Sequence, residues 1–214
     1  MMEDVKKTGT TTLGIVCKDG VVIASERRAT MGTLIAHKAT KKLYKIDKHL
    51  AMATAGLVGD LQTLARYLKA EANLYRLKRE VPMPVKSAAT LMANILNQRR
   101  FMPYYVQLIL GGCDRLGNHV YSLDAAGGAI PDKYTSAGSG SPYVFGVLED
   151  HFREDLTVEE GVDLAVRAIV AAEKRDSASG GIIDVAVITR DKGYQEISEE
   201  EIKEKMEKYR VGSI

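Results

Sequence analysis

The segment Thr8-Gly9-Thr10-Thr11-Thr12 holds the side chains closest to a recognisable chemistry. A glycine directly before a threonine leaves the peptide bond between them free to turn and unobstructed by a side chain. The Thr10 hydroxyl could attack the Gly9 carbonyl, form an ester by N-to-O shift, and release residues 1–9 by hydrolysis. The product would carry a hydroxyl and a free α-amine on one residue. Such an amine titrates at about 7.7–8.0 in model compounds, suited to general-base work near neutral pH. Threonine activated by its own N-terminal amine is an established type of nucleophile. While the bond is intact the nitrogen is an amide and no base, so the uncleaved chain would be inert. The same residues also read as a β-branched strand start after a glycine.

A nucleophile of this kind needs a fixed cation and a carboxylate. Glu26-Arg27-Arg28 closes one strand-like block, and Lys41-Lys42-Leu43-Tyr44 opens another. A cation beside Thr10 would favour the neutral amine and stabilise negative charge growing on Oγ. Alternation of period two allows Lys42 to face inward with Tyr44 and Ile46, with Glu26 holding its ammonium; two solvated surface charges fit the spacing equally. In Arg175-Asp176-Ser177-Ala178-Ser179-Gly180-Gly181 the glycines suit a helix C-terminus. The cluster of Asp176, Ser177 and Ser179 also suits groups that hydrogen-bond the Thr10 amine and position it. Gly138-Ser139-Gly140-Ser141-Pro142 lacks the lysine of a phosphate-binding loop and fits a tight turn that brings Ser139 into a neighbouring site. His37, His49, His119 and His151 show no metal-binding spacing, so neither metal nor cofactor is expected.

The elements that must position these groups follow from periodicity. Strands are expected at Thr10–Val16 and Val21–Glu26 around a Lys18-Asp19-Gly20 turn, then at Lys42–Ile46 and Leu50–Ala55. From Gly59 to about Arg79, Leu61, Leu64, Leu68, Ala72 and Tyr75 recur at helical spacing. After Pro84, Val85, Ala89, Met92 and Leu96 line one helix face. Ala88, Leu91 and Ile95 line another, so that helix is covered on more than one side. Strands resume at Tyr104–Gly112, His119–Asp124 and Ala129–Ala137. Helices follow at about Tyr143–Phe152 and from Thr157, whose partner Glu160 makes a capping box, to near Arg175. Strands at Ile182–Thr189 and Tyr194–Ile197 and a charged helix from Glu199 to about Tyr209 complete the order. Strands, two helices, strands, two helices and strands favour an α+β layered domain, two sheets face to face with helices outside each.

Composition sets the outer limits. The chain of 214 residues suits one domain, and 45% hydrophobic with 27% charged residues is an ordinary globular balance. The net charge is +2 with acidic and basic residues interspersed, so no nucleic-acid groove is expected. Cys17 and Cys113 each lie inside an apolar run and read as buried core thiols in a reducing compartment. MMEDVKKTG has no apolar stretch for a secretory signal, and no run is long enough to span a membrane, so a cytoplasmic location is expected.

Taken together, Gly9-Thr10-Thr11-Thr12, Glu26-Arg27-Arg28, Lys41-Lys42-Leu43, Ala55-Gly56-Leu57-Val58-Gly59-Asp60, Gly138-Ser139-Gly140-Ser141 and Arg175-Asp176-Ser177-Ala178-Ser179-Gly180 resemble the β subunits of the archaeal-type proteasome core particle. Order and spacing match along essentially the whole chain. The resemblance implies the four-layer αββα sandwich of the N-terminal nucleophile hydrolases, with residues 1–9 a propeptide and 10–214 the catalytic domain. It makes Thr10 the nucleophile and its amine the base, Lys42 the tuning charge and Glu26 its partner. Asp176, Ser139 and Ser179 complete the hydrogen-bond network, and Gly56 N–H is the oxyanion donor, where the lack of a Cβ would let substrate approach. The positions matching the pocket for the residue before the scissile bond are Ala29, Thr30, Thr40, Tyr44, Thr54, Val58 and Gln62. None is charged, which implies an apolar preference, although Thr54 stands where an aliphatic residue is expected. The implied partners are proteasome α subunits, other β subunits in seven-membered rings stacked α-β-β-α, an ATP-driven unfoldase and unfolded polypeptides. A non-catalytic ring subunit would lack the threonine or its Lys and Asp partners, all present here. A binding domain that only resembles a hydrolase is the alternative from another class.

Overall fold

The computed structural model describes residues 9–211. The first hairpin, β1 (Thr12–Cys17) and β2 (Gly20–Glu26), turns through Lys18-Asp19. A small hairpin, β3 (Ala29–Met31) and β4 (Leu34–His37), precedes β5 (Leu43–Asp47) and β6 (Leu50–Gly56). Helices α1 (Val58–Arg79) and α2 (Val85–Gln98) lead to β7 (Val106–Asp114), β8 (Gly117–Leu123), β9 (Ala129–Asp132) and β10 (Tyr134–Ala137). Then come α3 (Ser141–His151), α4 (Val158–Glu173), β11 (Ile183–Thr189), β12 (Gly193–Glu196) and α5 (Glu199–Val211).

Two five-stranded antiparallel sheets, ordered β10-β1-β2-β11-β12 and β5-β6-β7-β8-β9, pack face to face. Alternation on β2 builds two layers at once: Val21 and Ile23 point into the space between the sheets, while Val22 and Ala24 point at the helices. The inter-sheet layer holds those two with Ala51, Ala53, Ile109 and Ile188. Outside the first sheet lie α3, α4 and α5, with Ala165, Ile169, Ile202 and Met206 buried. Outside the second lie α1 and α2, whose predicted apolar residues Leu61, Leu64, Leu68, Val85, Met92 and Leu96 fill the fourth layer. Leu91 and Ile95 on the other face of α2 are partly buried against the same layer. No helix among the described residues is long and apolar enough to cross a membrane.

Three local expectations are corrected. The single strand expected at Ala129–Ala137 is two: β9 pairs with β8, and β10 pairs with β1 in the opposite sheet. Residue alternation does not encode which sheet a strand joins, so the crossing at Lys133 leaves no local mark. The β3–β4 hairpin was not expected at all, because every residue of β4 is exposed and the run carries no alternation. Lys42 precedes β5, and a register shift between Lys45 and Asp47 buries Ile46 and Asp47 together, so period-two alternation does not run through this strand.

Candidate active site

One end of the sandwich gathers the chemistry-bearing segments. Glu26 ends β2, Lys42 precedes β5, Gly56 ends β6, Ser139 follows β10, and Asp176–Gly180 joins α4 to β11. Thr10 lies just before β1 and is buried among them, its peptide bond to Gly9 intact. Its hydroxyl donates to the Gly9 carbonyl oxygen at 2.6 Å. Gly9 N–H donates to Thr30 Oγ1 at 3.0 Å. A Cβ built on Gly9 would lie 1.8 Å from Ala178 Cβ, so the glycine answers a steric demand from the far end of the chain.

From Thr10 two hydrogen-bonded chains run outward. On one side Thr10 N–H donates to Ser139 Oγ at 3.1 Å, and Ser139 donates to Asp176 Oδ2 at 2.6 Å. Ser179 Oγ also donates to Asp176 Oδ2 at 2.6 Å and lies 2.5 Å from Thr11 Oγ1. Asp176 and Ser179 thus reach Thr10 through Ser139 and Thr11 rather than directly. An amide nitrogen has one hydrogen, and Ser139 takes it.

On the other side Glu26 Oε1 accepts from Thr11 N at 3.1 Å and from Lys42 Nζ at 2.5 Å. Its Oε2 accepts from Arg28 N at 2.5 Å and Gly180 N at 3.3 Å. Lys42 Nζ also donates to the Arg28 carbonyl. The side chains of Lys42 and Glu26 are 3% and 0% exposed, which removes the reading of two solvated surface charges. Burial pushes the Glu26 carboxyl up, against the Lys42 charge and the hydrogen bonds it accepts. Burial pulls the Lys42 ammonium down, against the Glu26 charge. In each group burial acts toward the neutral form, and the partner's charge is the largest influence acting the other way.

Sequence reasoning gave no role to Thr11, Arg28 or Ala178. Arg28 Nη1 donates to the carbonyls of Ser177 and Ser179 at 3.0 and 2.9 Å and so clamps the Asp176–Gly180 loop. Its place beside Glu26 was the available signal; the loop it clamps, about 150 residues away, was not. Gly56 has φ +132°, and a Cβ there would lie 1.9 Å from the Tyr105 carbonyl oxygen. The glycine is therefore required by the backbone itself, before any question of substrate approach.

The expected pocket residues are spread more widely. Tyr44 and Gln62 share a cavity of about 410 Å³ with Lys45, Ile46, Ala65, Arg66 and Lys69. Ala29, Thr30, Thr40, Thr54 and Val58 do not line it. Thr54 is fully buried, and its hydroxyl donates to the Lys42 carbonyl at 3.1 Å, so its polarity is satisfied inside the protein.

The four layers, with a threonine at the open end of the two sheets, define the N-terminal nucleophile hydrolase fold. The family model described as "Proteasome subunit" matches residues 6–188, and the chain belongs to the proteasome family. It is 56% identical to the proteasome subunit beta of Thermoplasma acidophilum, over 97% of this chain and 98% of the relative. It is 55% identical to that of Methanothermobacter thermautotrophicus, over 93% and 95%. With that of Ferroglobus placidus the identity is 54%, over 98% and 100%.

Proposed function

We propose that this chain is a threonine endopeptidase subunit of a proteasome core particle, made active by cleavage of its own Gly9–Thr10 bond. One arrangement carries the reading: Thr10 is buried between a Ser139–Asp176 pair on its nitrogen and, through Thr11 N–H, the buried Glu26–Lys42 pair. In the precursor, Thr10 Oγ bonds to the Gly9 carbonyl carbon, the C–N bond breaks, and the nitrogen leaves with a proton as an amine. Water then hydrolyses the ester, freeing residues 1–9. In the mature subunit the amine takes the Oγ proton as Oγ attacks a substrate carbonyl. Gly56 N–H holds the developing oxyanion, and the ammonium gives its proton to the leaving amine. Water attacks the acyl-enzyme with the same amine as base. Lys42 opposes protonation of the amine and stabilises charge on Oγ, while Ser139, Asp176 and Ser179 orient the nitrogen.

Membership of the family supports assembly with α subunits in the core particle. Seven-membered rings stacked α-β-β-α would enclose Thr10 in a chamber open to unfolded chains, with an ATP-driven unfoldase supplying them in the cytoplasm. The uncharged positions Ala29, Thr30, Thr40, Tyr44, Thr54, Val58 and Gln62 support an apolar preference before the scissile bond. A peptide series with Leu, Tyr, Arg or Glu there tests it. Fastest cleavage after Glu would instead assign specificity to Lys45, Arg66 and Lys69, which share the cavity of Tyr44 and Gln62.

Intact mass after co-assembly with the α partner, for the native chain and Thr10→Ala, tests the central reading. Loss of residues 1–9 from the native chain alone is expected. Two uncut chains in complete particles would overturn it in favour of a non-catalytic subunit.

A further inference from the structure

Gly138 and Ser139 belong to the turn between β10 and α3, on the first sheet, yet the turn is held from the second. Gly138 N–H donates to Gln107 Oε1 at 2.9 Å. Gln107 is the second residue of β7 and pairs with Ala55 of β6, next to the Val106–Gly56 pair. One exposed side chain therefore ties the strand end that carries Gly56 to the turn that carries Ser139. Both lie with it on a cavity of about 340 Å³, which Tyr104 also lines.

Gly138 has φ +99°, and a Cβ there would lie 2.0 Å from the Thr10 carbonyl oxygen. Its backbone packs directly on Thr10, so its position sets where the next residue, Ser139, presents the hydroxyl that takes Thr10 N–H. Gln107 supplies no core packing, so its one described polar contact is what it contributes at this place.

We propose that Gln107 is a positioning residue for the peptidase reaction: by holding Gly138 N–H it fixes the Ser139 hydroxyl relative to Gly56 N–H across the gap between the sheets. The inference rests on Thr10 being the nucleophile. Nucleophile activation and oxyanion stabilisation come from different sheets, and a sub-ångström error between them lowers the rate of the chemical step more than substrate affinity.

The test uses particles assembled with the α partner, carrying Gln107→Leu, Gln107→Asn or Gln107→Glu, with Thr10→Ala as control. Leu removes the acceptor at similar size, Asn draws it out of reach, and Glu keeps an oxygen in place. For Leu and Asn, kcat per processed site is expected to fall about five- to twentyfold, the scale of one lost positioning hydrogen bond. KM and the melting temperature of the particle should stay close to native, and Glu should retain most of kcat. Native kcat in both Leu and Asn variants, or a loss in Glu as large as in Leu, overturns the inference. An active Thr10→Ala particle would instead bring down the reading beneath it.

Discussion

At Gly9 there is no room for one more methyl group, and the proposed cleavage of the Gly9–Thr10 bond should feel it. The 1.8 Å approach of a Cβ there to Ala178 leaves Gly9→Ala no room unless the Asp176–Gly180 loop moves, and Arg28 clamps that loop. We expect Gly9→Ala to slow release of residues 1–9 at least about tenfold, and Ala178→Gly in the same chain to restore much of the rate. Intact mass against time after assembly reads both. The Glu26–Lys42 pair gives a prediction with a definite sign. Burial lowers Lys42 below the ordinary lysine value of 10.5, and the Glu26 carboxylate is the largest influence raising it again. Removing that carboxylate in Glu26→Gln lets the ammonium lose its proton at lower pH. The alkaline limb of kcat/KM should therefore lie below 10.5 in the native subunit and move further down in Glu26→Gln, on a lower maximum. An unmoved limb would mean that another group sets it.

Elements differ in how much their own residues settle. Helix α4 is nearly self-declared: Thr157 Oγ1 accepts Glu160 N–H at 3.2 Å, and Glu160 returns a bond to Thr157 N at 2.8 Å. Thr157→Ala should cost about 1 kcal/mol of stability, read as a lowered melting temperature. The rate per site should be unchanged, because this cap lies at the opposite end of α4 from Asp176. Helices α1 and α2 were as legible, since apolar residues at a period of 3.6, on one face of α1 and on more than one of α2, exist before any partner does. Strands were less so. β4 has no buried face, β5 is bulged, and β9 and β10 read as one strand until each meets its own neighbour.

The whole molecule decides the behaviour of the two thiols. Cys17 lies in the layer between the first sheet and its helices, whereas Cys113 lies between the sheets and donates to the Ile188 carbonyl at 2.9 Å. Burial is the first cause that pushes both thiols up to about 12. At pH 8 both should stay protonated and fail to react with a thiol reagent such as maleimide until the fold opens; in guanidinium both should react. Mass spectrometry after timed labelling checks this, and rapid native labelling of Cys113 would show that the nearby cavity beside Tyr194 admits reagent to it.

The sequence by itself determined which groups were available and in what order. It supplied Thr10 behind a glycine, the carboxylates of Glu26 and Asp176, the ammonium of Lys42, the hydroxyls of Ser139 and Ser179, and the block order that favours a layered α+β domain. Those features are local: a residue type, a turn signal or a period along one element carries them. Only the tertiary structure decided that Lys42 and Glu26 are buried as a pair, and that Ser139 stands between Asp176 and Thr10. It also decided that Gly9 is imposed by Ala178 and Gly56 by the Tyr105 carbonyl. The Thr10–Ser139 contact joins residues 129 apart and the Glu26–Gly180 contact residues 154 apart. Periodicity tells an element which of its faces must be covered but not which other element will cover it, and this site is made where those covers meet.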